Sequence, residues 1–233
     1  MWNAFSAYCV GLITTDGCLS SDGRHIEFTS RDRQLVEYIQ QCFGPTNHIT
    51  TKDRGDGRRY LRIQIGNKTL YKWLEEIGLT KRKSLTLGSL NVPTDFLADF
   101  VRGHLDGDGG IVVYHDPEFP RSRRLYVRFH SGSERHLQWL QQQMQLNWSL
   151  QGYWTRIQRA YRLSYAKRES IELLGRLYYA TTFPCLHRKR ALAEEFLHGA
   201  SSGGGGGTGI RAGLRSPCRK AWGFNSPPPH FSL

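Results

Sequence analysis

The sequence is short of cysteine, of acidic residues and of long apolar runs. Its five cysteines include no C-x-x-C pair, which argues against a disulfide framework and a structural zinc site. No apolar run approaches the roughly 20 residues needed to cross a bilayer. The apolar stretch near the N-terminus has no basic segment before it, so we expect no signal peptide. These absences predict an intracellular protein, in the bacterial cytoplasm or an organelle, without a membrane partner.

The shortage of acidic residues makes the chain strongly basic. Lys and Arg number 32 against 20 Asp and Glu, which gives a net charge of +12. This excess favours nucleic acid over a membrane as the partner, because no basic amphipathic helix stands out. After about residue 198 the composition changes to Gly, Ser and Pro without periodicity, so we expect residues 199–233 to form a flexible tail.

The remainder of the chain is an internal duplication. After Asp16 the sequence continues through "HIEFTS", "QLVEYIQQCFG", "RRYLRIQIGNK" and "LYKWLEEIGL". After Asp108 it continues through "LYVRFHS", "HLQWLQQQM", "AYRLSYAKR" and "IELLGRLYY". The matching order predicts two repeats, residues 1–93 and 94–198. Each is read as helix, hairpin, helix, strand or hairpin, helix and a closing helix.

Alternation within the predicted strands separates an apolar face from a basic face. In "RLYVRFH", for example, Leu125, Val127 and Phe129 share one face. Arg and Gln recur on the other face in both halves, and such a sheet can enter the major groove, where both residue types pair with base edges. The candidate DNA-binding residues are Arg59, Arg62, Gln64, Arg124, Arg128, Arg156, Gln158 and Arg162.

Each repeat begins with a predicted helix that ends in an acid and a glycine, "CVGLITTDG" and "VRGHLDGDG". Gly11 and Gly103 stand at the same offset in the two helices, which predicts a close helix–helix contact at these glycines. Side-by-side helices would bring Asp16 and Asp108 together, where the carboxylates repel each other and the helix dipoles. Divalent metal ions would relieve this repulsion and could activate water against a phosphodiester.

The two motifs resemble those of the single-chain LAGLIDADG homing endonucleases, and the resemblance covers residues 1 to about 198. It implies an α+β fold of two αββαββα repeats related by a pseudo-two-fold axis. The motif helices would form the central interface, and two antiparallel four-stranded sheets would form a saddle over DNA. The residues that fit the motifs are Gly11, Leu12, Ile13, Asp16 and Gly17 in the first copy, and Gly103, Leu105, Asp106, Asp108 and Gly109 in the second.

The resemblance also implies a metal site. Asp16 and Asp108 would bind the catalytic Mg²⁺ (or Mn²⁺), helped by the backbone carbonyls of Thr15 and Gly107. Each acid would serve one strand of double-stranded DNA. The implied activity is metal-dependent phosphodiester hydrolysis, which gives a site-specific double-strand cut at a long asymmetric site. With both halves in one chain, we expect a monomer.

Further roles follow from the same resemblance. A basic residue near the start of each closing helix would assist catalysis. The candidates are Lys81 or Lys83 in the first half and Lys189 in the second. A glutamine on the sheet, Gln64 or Gln158, would complete the site.

Three residues depart from the family pattern. Thr14 stands where the first Asp of the motif would be, and Arg102 and His104 replace small or apolar residues in the second helix. The first Asp of the motif caps or packs rather than catalyses, so Thr14 does not by itself remove activity. Helical geometry can turn Arg102 outward, away from the helix pair.

Two alternatives share this scaffold. One is a non-cleaving DNA-binding regulator, and the other is an RNA maturase that assists the splicing of its host intron RNA. Relatives of the first kind tend to lose the acids and add a helix-turn-helix domain, for which no room appears after residue 198. No splicing residues flank the endonuclease-like region, so we expect an intron-encoded, free-standing enzyme rather than an intein.

Overall fold

The computed structural model of the chain describes residues 1–53, 59–119 and 122–199. By its internal contacts the chain divides into two units, Met1–Ser202 and Gly203–Leu233. The second unit lies outside the described residues, together with almost all of the predicted tail. In the described part, no helix is long and apolar enough to cross a membrane.

Each half of the first unit folds as helix, hairpin, helix, hairpin and helix. In chain order, the first half contains α1 (Ala4–Asp16), β1 (Gly17–Leu19), β2 (His25–Ser30), α2 (Arg33–Phe43), β3 (Ile49–Asp53), β4 (Arg59–Gly66) and α3 (Lys68–Ile77). After a short 3₁₀ helix at Thr94–Phe96, the second half contains α4 (Leu97–Asp108), β5 (Gly110–His115), β6 (Arg123–Ser131), α5 (Glu134–Trp148), β7 (Tyr153–Ile157), β8 (Ala160–Tyr165), α6 (Lys167–Leu177) and α7 (His187–Gly199). The αββαββα order is therefore confirmed in both halves, and α7 is the closing helix predicted for the second half.

The strands form two separate four-stranded sheets with the same topology. Their orders are β1-β2-β4-β3 and β5-β6-β8-β7, and every neighbouring pair is antiparallel. Antiparallel pairs of this kind need only short hairpin connections, which is why each sheet is built within one half of the chain. The predicted α+β class with two antiparallel four-stranded sheets is confirmed.

Each sheet buries one face under helices and leaves the other open. Leu125, Val127 and Phe129 of β6 are fully buried, whereas Tyr126 and Arg128 between them retain solvent exposure. Removing an apolar side chain of this size from water contributes about 1.5–3 kcal/mol, so the alternation fixes which face is covered. The face opposite the buried side chains is called the open face of each sheet below.

The predicted closing helix of the first half is wrong. Residues 81–86 form successive turns instead of a helix. Arg82 has a φ of 55°, in the left-handed region that a right-handed helix cannot contain. The amides of Thr86 and Leu87 both donate to the carbonyl of Lys83, which closes the segment into a turn. Lys83 therefore comes from a turn, and Lys189 comes from the helix α7.

The segment that follows α3 in the first half, and the segment that follows α6 in the second, each form a hydrogen bond with the other half. Ser133, which precedes α5, donates its hydroxyl to the carbonyl of Leu87 at 2.5 Å. In the opposite direction, the Gln34 amide of α2 donates to the carbonyl of Cys185 at 2.9 Å. These crossed hydrogen bonds join the halves at two places besides the helix pair.

Candidate metal centre and nucleic-acid interface

Two glycines let α1 and α4 touch backbone to backbone. A Cβ atom on Gly11 would lie 2.2 Å from the carbonyl oxygen of Phe100, and one on Gly103 would lie 2.0 Å from the carbonyl oxygen of Tyr8. Real Cβ atoms do not approach other atoms so closely, so any other residue at either position would force the helices apart. The motif helices are thus held at a separation that depends on glycine.

The contact continues to the C-terminal ends of the two helices, which run in parallel. A Cβ atom on Gly107 would lie 2.0 Å from the Thr15 hydroxyl oxygen and 3.3 Å from Oδ2 of Asp16. Asp108 follows Gly107 directly, so the last residue of each helix delivers a carboxylate to the same region. Both Asp16 and Asp108 retain solvent exposure.

The surroundings of the two acids favour a cation. Burial against the helix ends raises the pKa of Asp16 to about 6, and the charge of Asp108 adds to the rise. Burial also raises the pKa of Asp108, where the nearby His130 and Lys189 act in the opposite direction. The raised pKa values show that negative charge is costly at both acids, and a bound cation would remove that cost.

A buried lysine lies beneath each helix end. The ammonium of Lys83 donates to the carbonyls of Thr15 at 3.3 Å and Gly17 at 2.5 Å. Burial lowers the pKa of Lys83, and the nearby Asp16 acts against this fall. Lys189 donates to three carbonyls at the end of α4, those of Leu105 (2.6 Å), Asp106 (3.0 Å) and Gly109 (2.9 Å). The carbonyls at a helix end lack partners within the helix and carry partial negative charge, so both lysines stabilise the helix ends that hold the acids.

The other catalytic candidates of the first half lie farther along the surface. Lys81 is exposed and donates to the carbonyl of Ser21 at 3.4 Å, so Lys83 is the lysine that reaches the end of α1. Gln64 lies on the open face of β4 and accepts a hydrogen bond from Arg62 at 2.7 Å.

The donor atoms at the helix ends suit a hard divalent cation. Among the described residues, no group of three or more His, Cys, Asp and Glu side chains could hold a metal ion. The protein would therefore supply the carboxylates of Asp16 and Asp108, with the carbonyls of Thr15 and Gly107 as further oxygen donors. Mg²⁺ is commonly bound in this way, through one or two carboxylates plus substrate phosphates and water. The residues present fit such an ion.

The first acid of the second motif packs instead of facing the site. Asp106 is fully buried and accepts hydrogen bonds from the Tyr8 hydroxyl at 2.9 Å and the Leu186 amide at 2.7 Å. Burial raises the pKa of Asp106 to about 6, while Lys189 opposes the rise. At the matching position of α1, the Thr14 hydroxyl donates to the Val10 carbonyl of its own helix at 2.7 Å. Thr14 thus leaves the first half without the bond that Asp106 makes across the interface.

Arg102 does not turn outward. Its side chain is 1% exposed and pairs with Asp99 at 2.6 Å. It also donates to the carbonyls of Leu177 at 2.7 Å and Pro184 at 2.9 Å, and its guanidinium lies 5.5 Å from the centre of the Tyr8 ring. A buried charge is tolerated because it is fully paired, and here it ties α4 to the connection between α6 and α7.

The open face of the first sheet carries polar and charged side chains. Glu27 of β2 accepts from Lys52 of β3 and pairs with Arg62 of β4, both at 2.7 Å. Strand register places Gln64 opposite Glu27, in the same row. Three predicted DNA-binding arginines, Arg62, Arg128 and Arg162, have buried Nε atoms for which the described residues supply no hydrogen-bond partner. These arginines lie on the open faces, as does Arg124, which is paired with Asp116.

Three predicted DNA-binding residues lie off the open faces, and the predicted placement of Arg156 and Gln158 on the basic face is wrong. Gln158 lies in the turn between β7 and β8, with a φ of 29°. That turn pairs Arg156 with Tyr161, which places Arg156 on the same face as the buried Leu163. Arg59 falls in step with Leu61 on β4, so it also belongs to the covered face, at the outer end of the strand. Alternation within one strand does not show which of its residues share a face with the next strand, because the turn between the strands decides their register.

His130 is a polar residue of the site that the sequence does not single out. Its Nδ1 lies 3.3 Å from the carbonyl oxygen of Asp108, although 22 residues separate the two in the chain. Alternation assigns His130 to the basic face of β6, but only strand pairing brings it beside the helix end. The matching residue of the first half, Thr29, directly follows Phe28 as His130 follows Phe129.

Comparison with known proteins agrees with this architecture. Residues 6–78 match the family model of the LAGLIDADG-like domain, and no curated protein matches the chain. The LAGLIDADG meganuclease I-AabMI bound to uncleaved DNA superposes with a TM-score of 0.57 at 15% identity, over 86% of this chain and 91% of that one. The homing endonuclease I-DmoI in complex with DNA and Ca superposes with a TM-score of 0.53 at 15% identity, over 82% and 97%.

A third similar structure is full-length DUF199/WhiA from Thermatoga maritima. Its TM-score is 0.55 at 13% identity, over 86% of this chain and 62% of that one. The chain therefore spans less than two thirds of that protein's length. Residues 6–78 thus match the LAGLIDADG-like domain model, and the two halves together have the fold of the single-chain LAGLIDADG homing endonucleases, as the sequence resemblance predicts.

Proposed function

We propose that this protein is a site-specific DNA endonuclease that hydrolyses phosphodiester bonds with Mg²⁺ or Mn²⁺. It acts inside the cell on double-stranded DNA, as a monomer, and cuts both strands of a long asymmetric site. The observation that carries the proposal is the helix pair, in which Gly11 and Gly103 permit backbone contact and Asp16 and Asp108 end side by side.

The chain's own residues set up the site before any ion binds. The buried ammonium groups of Lys83 and Lys189 hold the ends of α1 and α4 by their carbonyls, so both carboxylates are kept in place. Their positive charges also offset part of the repulsion between Asp16 and Asp108. This arrangement positions the acids in advance, and preorganised electrostatic stabilisation is usually the largest single contribution to catalysis.

Asp16 and Asp108 would hold the divalent ion, with the carbonyls of Thr15 and Gly107 as additional ligands. When bound, the ion supplies Lewis-acid activation of water and of the scissile phosphate. I-DmoI, which has a similar fold, has been observed in complex with DNA and Ca, which supports the use of a divalent ion.

The open faces would bind the duplex. Arg62, Arg128 and Arg162 carry guanidinium groups on these faces, and guanidinium groups donate to phosphate oxygens and base edges. The net charge of +12 supports the same partner. The two similar endonucleases named above were observed with DNA, which supports duplex DNA as the substrate.

The deciding experiment incubates the full chain with a library of duplex sites and Mg²⁺. Wild type is expected to cut a subset of the library. Asp16→Asn and Asp108→Asn are each expected to bind the selected site as wild type does and to lose the double-strand cut. A matched control is Glu76→Gln, which removes an exposed acid that pairs with Lys72 on the surface of α3 and should leave cutting unchanged. Double-strand cutting by either Asn variant would refute the assignment.

The same experiment separates the alternatives. The alternative of a DNA-binding regulator rests on the similar fold of full-length DUF199/WhiA, at 13% identity. Tight binding of the wild type without cutting at any site would favour the regulator. Preference for folded intron RNA over every duplex would favour the maturase.

A further inference from the structure

The open face of the second sheet carries a column of stacked planar groups. The rings of Tyr114 on β5 and Tyr126 on β6 lie nearly parallel, 7° apart, with centroids separated by 5.9 Å. The guanidinium of Arg128 lies 5.1 Å from the centre of the Tyr126 ring. Tyr126 therefore has a stacking partner in Tyr114 and a cation in Arg128, and the column ends at Tyr114.

The tyrosines at the ends of this face are open to solvent. Tyr114 is 42% exposed and Tyr153, on the edge strand β7, is 45% exposed. Strand register places Arg128, Ser164 and Tyr153 in one row across β6, β8 and β7. Two exposed aromatic rings thus lie on the same face, and the row that holds Tyr153 also contains Arg128.

The pseudo-equivalent place in the first sheet is built differently. Glu27 directly precedes Phe28 as Arg128 directly precedes Phe129, and register pairs Glu27 with Gln64 as it pairs Arg128 with Ser164. There the carboxylate of Glu27 is neutralised by Lys52 and Arg62. At this place the second sheet therefore has an arginine where the first has an acid, and this difference does not follow from the shared fold.

Exposed rings interleaved with arginines match the chemistry of unpaired nucleobases. In a duplex the faces of the bases are already stacked, whereas an unpaired base can place its face on an aromatic side chain. Strand register places Arg128 and Arg162 on the same face as the rings, where their guanidinium groups can donate to the phosphates of the same strand.

We propose that the open face of the second sheet binds single-stranded nucleic acid. Unpaired bases stack on Tyr114 and Tyr153, and the phosphates of that strand contact Arg128 and Arg162. This activity goes beyond the proposed cleavage of duplex DNA and does not depend on Asp16 or Asp108.

The test must separate stacking from the general attraction of a basic protein for phosphates. We would measure the binding of labelled oligothymidylate of about 12 nucleotides, and of an abasic strand of the same length, to the full chain by fluorescence anisotropy. Wild type should bind the base-bearing strand at least about fivefold more tightly than the abasic strand. The double variant Tyr114→Ala, Tyr153→Ala should bind both strands about equally, because it keeps the arginines and loses the rings.

Conservative and matched variants complete the design. Tyr114→Phe keeps the ring and should retain the preference for base-bearing strands. Leu146→Ala removes a 77% exposed apolar side chain from α5 and should also retain it. The affinity for oligouridylate is measured in parallel. The tighter binder of oligothymidylate and oligouridylate identifies whether the preferred strand is DNA or RNA.

An equal affinity of wild type for base-bearing and abasic strands would overturn the proposal. So would an unchanged preference in the double variant. Cleavage of duplex sites, measured on the same proteins, reports separately on the proposed endonuclease activity.

Discussion

His104 of α4 and His136 of α5 stack on each other in the interior of the second half, with their rings 18° from parallel. Nδ1 of His136 lies 3.0 Å from the carbonyl of Gly88, so this nitrogen carries the proton and donates it. Nε2 of a neutral His136 then accepts from Nε2 of His104, 3.0 Å away. The carbonyl of Gly88 thus fixes the tautomer of His136, and His136 in turn requires a proton on Nε2 of His104.

This pair predicts a loss of stability in acid. Burial lowers the pKa of His104 well below its usual range and lowers that of His136 to about 4. In the unfolded chain both histidines have a pKa of about 6.5. Below that pH the unfolded state therefore binds protons that the folded state does not bind. The stabilising contribution is therefore complete above about pH 6.5 and is lost as the pH falls towards 4.

The measurement is urea unfolding at about pH 7.5 and pH 5. Between these values, wild type should lose about 2 kcal/mol or more of unfolding free energy relative to a His104→Gln, His136→Gln variant. The comparison with a variant is needed because the raised pKa values of Asp16 and Asp106 shift stability in the opposite direction over this range. An equal pH dependence in the two proteins would show that the histidines do not titrate as a buried neutral pair.

Among the elements, the contact between α1 and α4 is the one that tolerates least change. Gly103→Ala would place a Cβ atom 2.0 Å from the carbonyl oxygen of Tyr8, which must move because a carbonyl oxygen cannot rotate away as a side chain can. We expect the substitution to lower the unfolding free energy by about 3 kcal/mol and to abolish DNA cutting, because it separates Asp16 from Asp108.

A second helical glycine provides the matched control. Gly175 of α6 has no atom closer than 3.7 Å to the position of an added Cβ. Gly175→Ala should raise the unfolding free energy by about 0.5–1 kcal/mol through helix propensity and leave cutting unchanged. If both variants were equally stable, the close approach of α1 and α4 would not be what requires glycine at position 103.

The same elements show how far sequence reasoning reaches. Periodicity identifies helices and strands because each side chain's burial repeats with the local geometry, and the duplicated acid and glycine pattern identifies the helix pair. It does not locate Arg156, whose face depends on a two-residue turn, or Lys83, whose segment is held in turns by contacts with the other half. His130 and the buried Arg102 likewise acquire their roles from residues distant in the chain. Local pattern thus predicts elements and the two acids, while pairing and tertiary contacts decide the remainder of the site.

At the scale of the whole molecule, buried contacts join the two halves. α1 belongs to the first half, yet Tyr8 bonds Asp106 of the second, and the chain between the halves is held by Ser133. A half that unfolded alone would expose this helix interface. We therefore expect residues 1–199 to unfold as one cooperative unit.

A mild core substitution in one half tests this cooperativity through the other. Ile63 of β4 is fully buried in the first half, and Ile63→Val should cost about 1 kcal/mol. Hydrogen exchange measured by mass spectrometry should then show the slowest amides of β4 and of β6 exchanging faster by the same factor, about fivefold, because both exchange through the same global opening. Leu146→Ala, at an exposed site on α5, should change neither. If the amides of β4 accelerated while those of β6 did not, the halves would open independently, and the crossed hydrogen bonds and helix pair would not couple them.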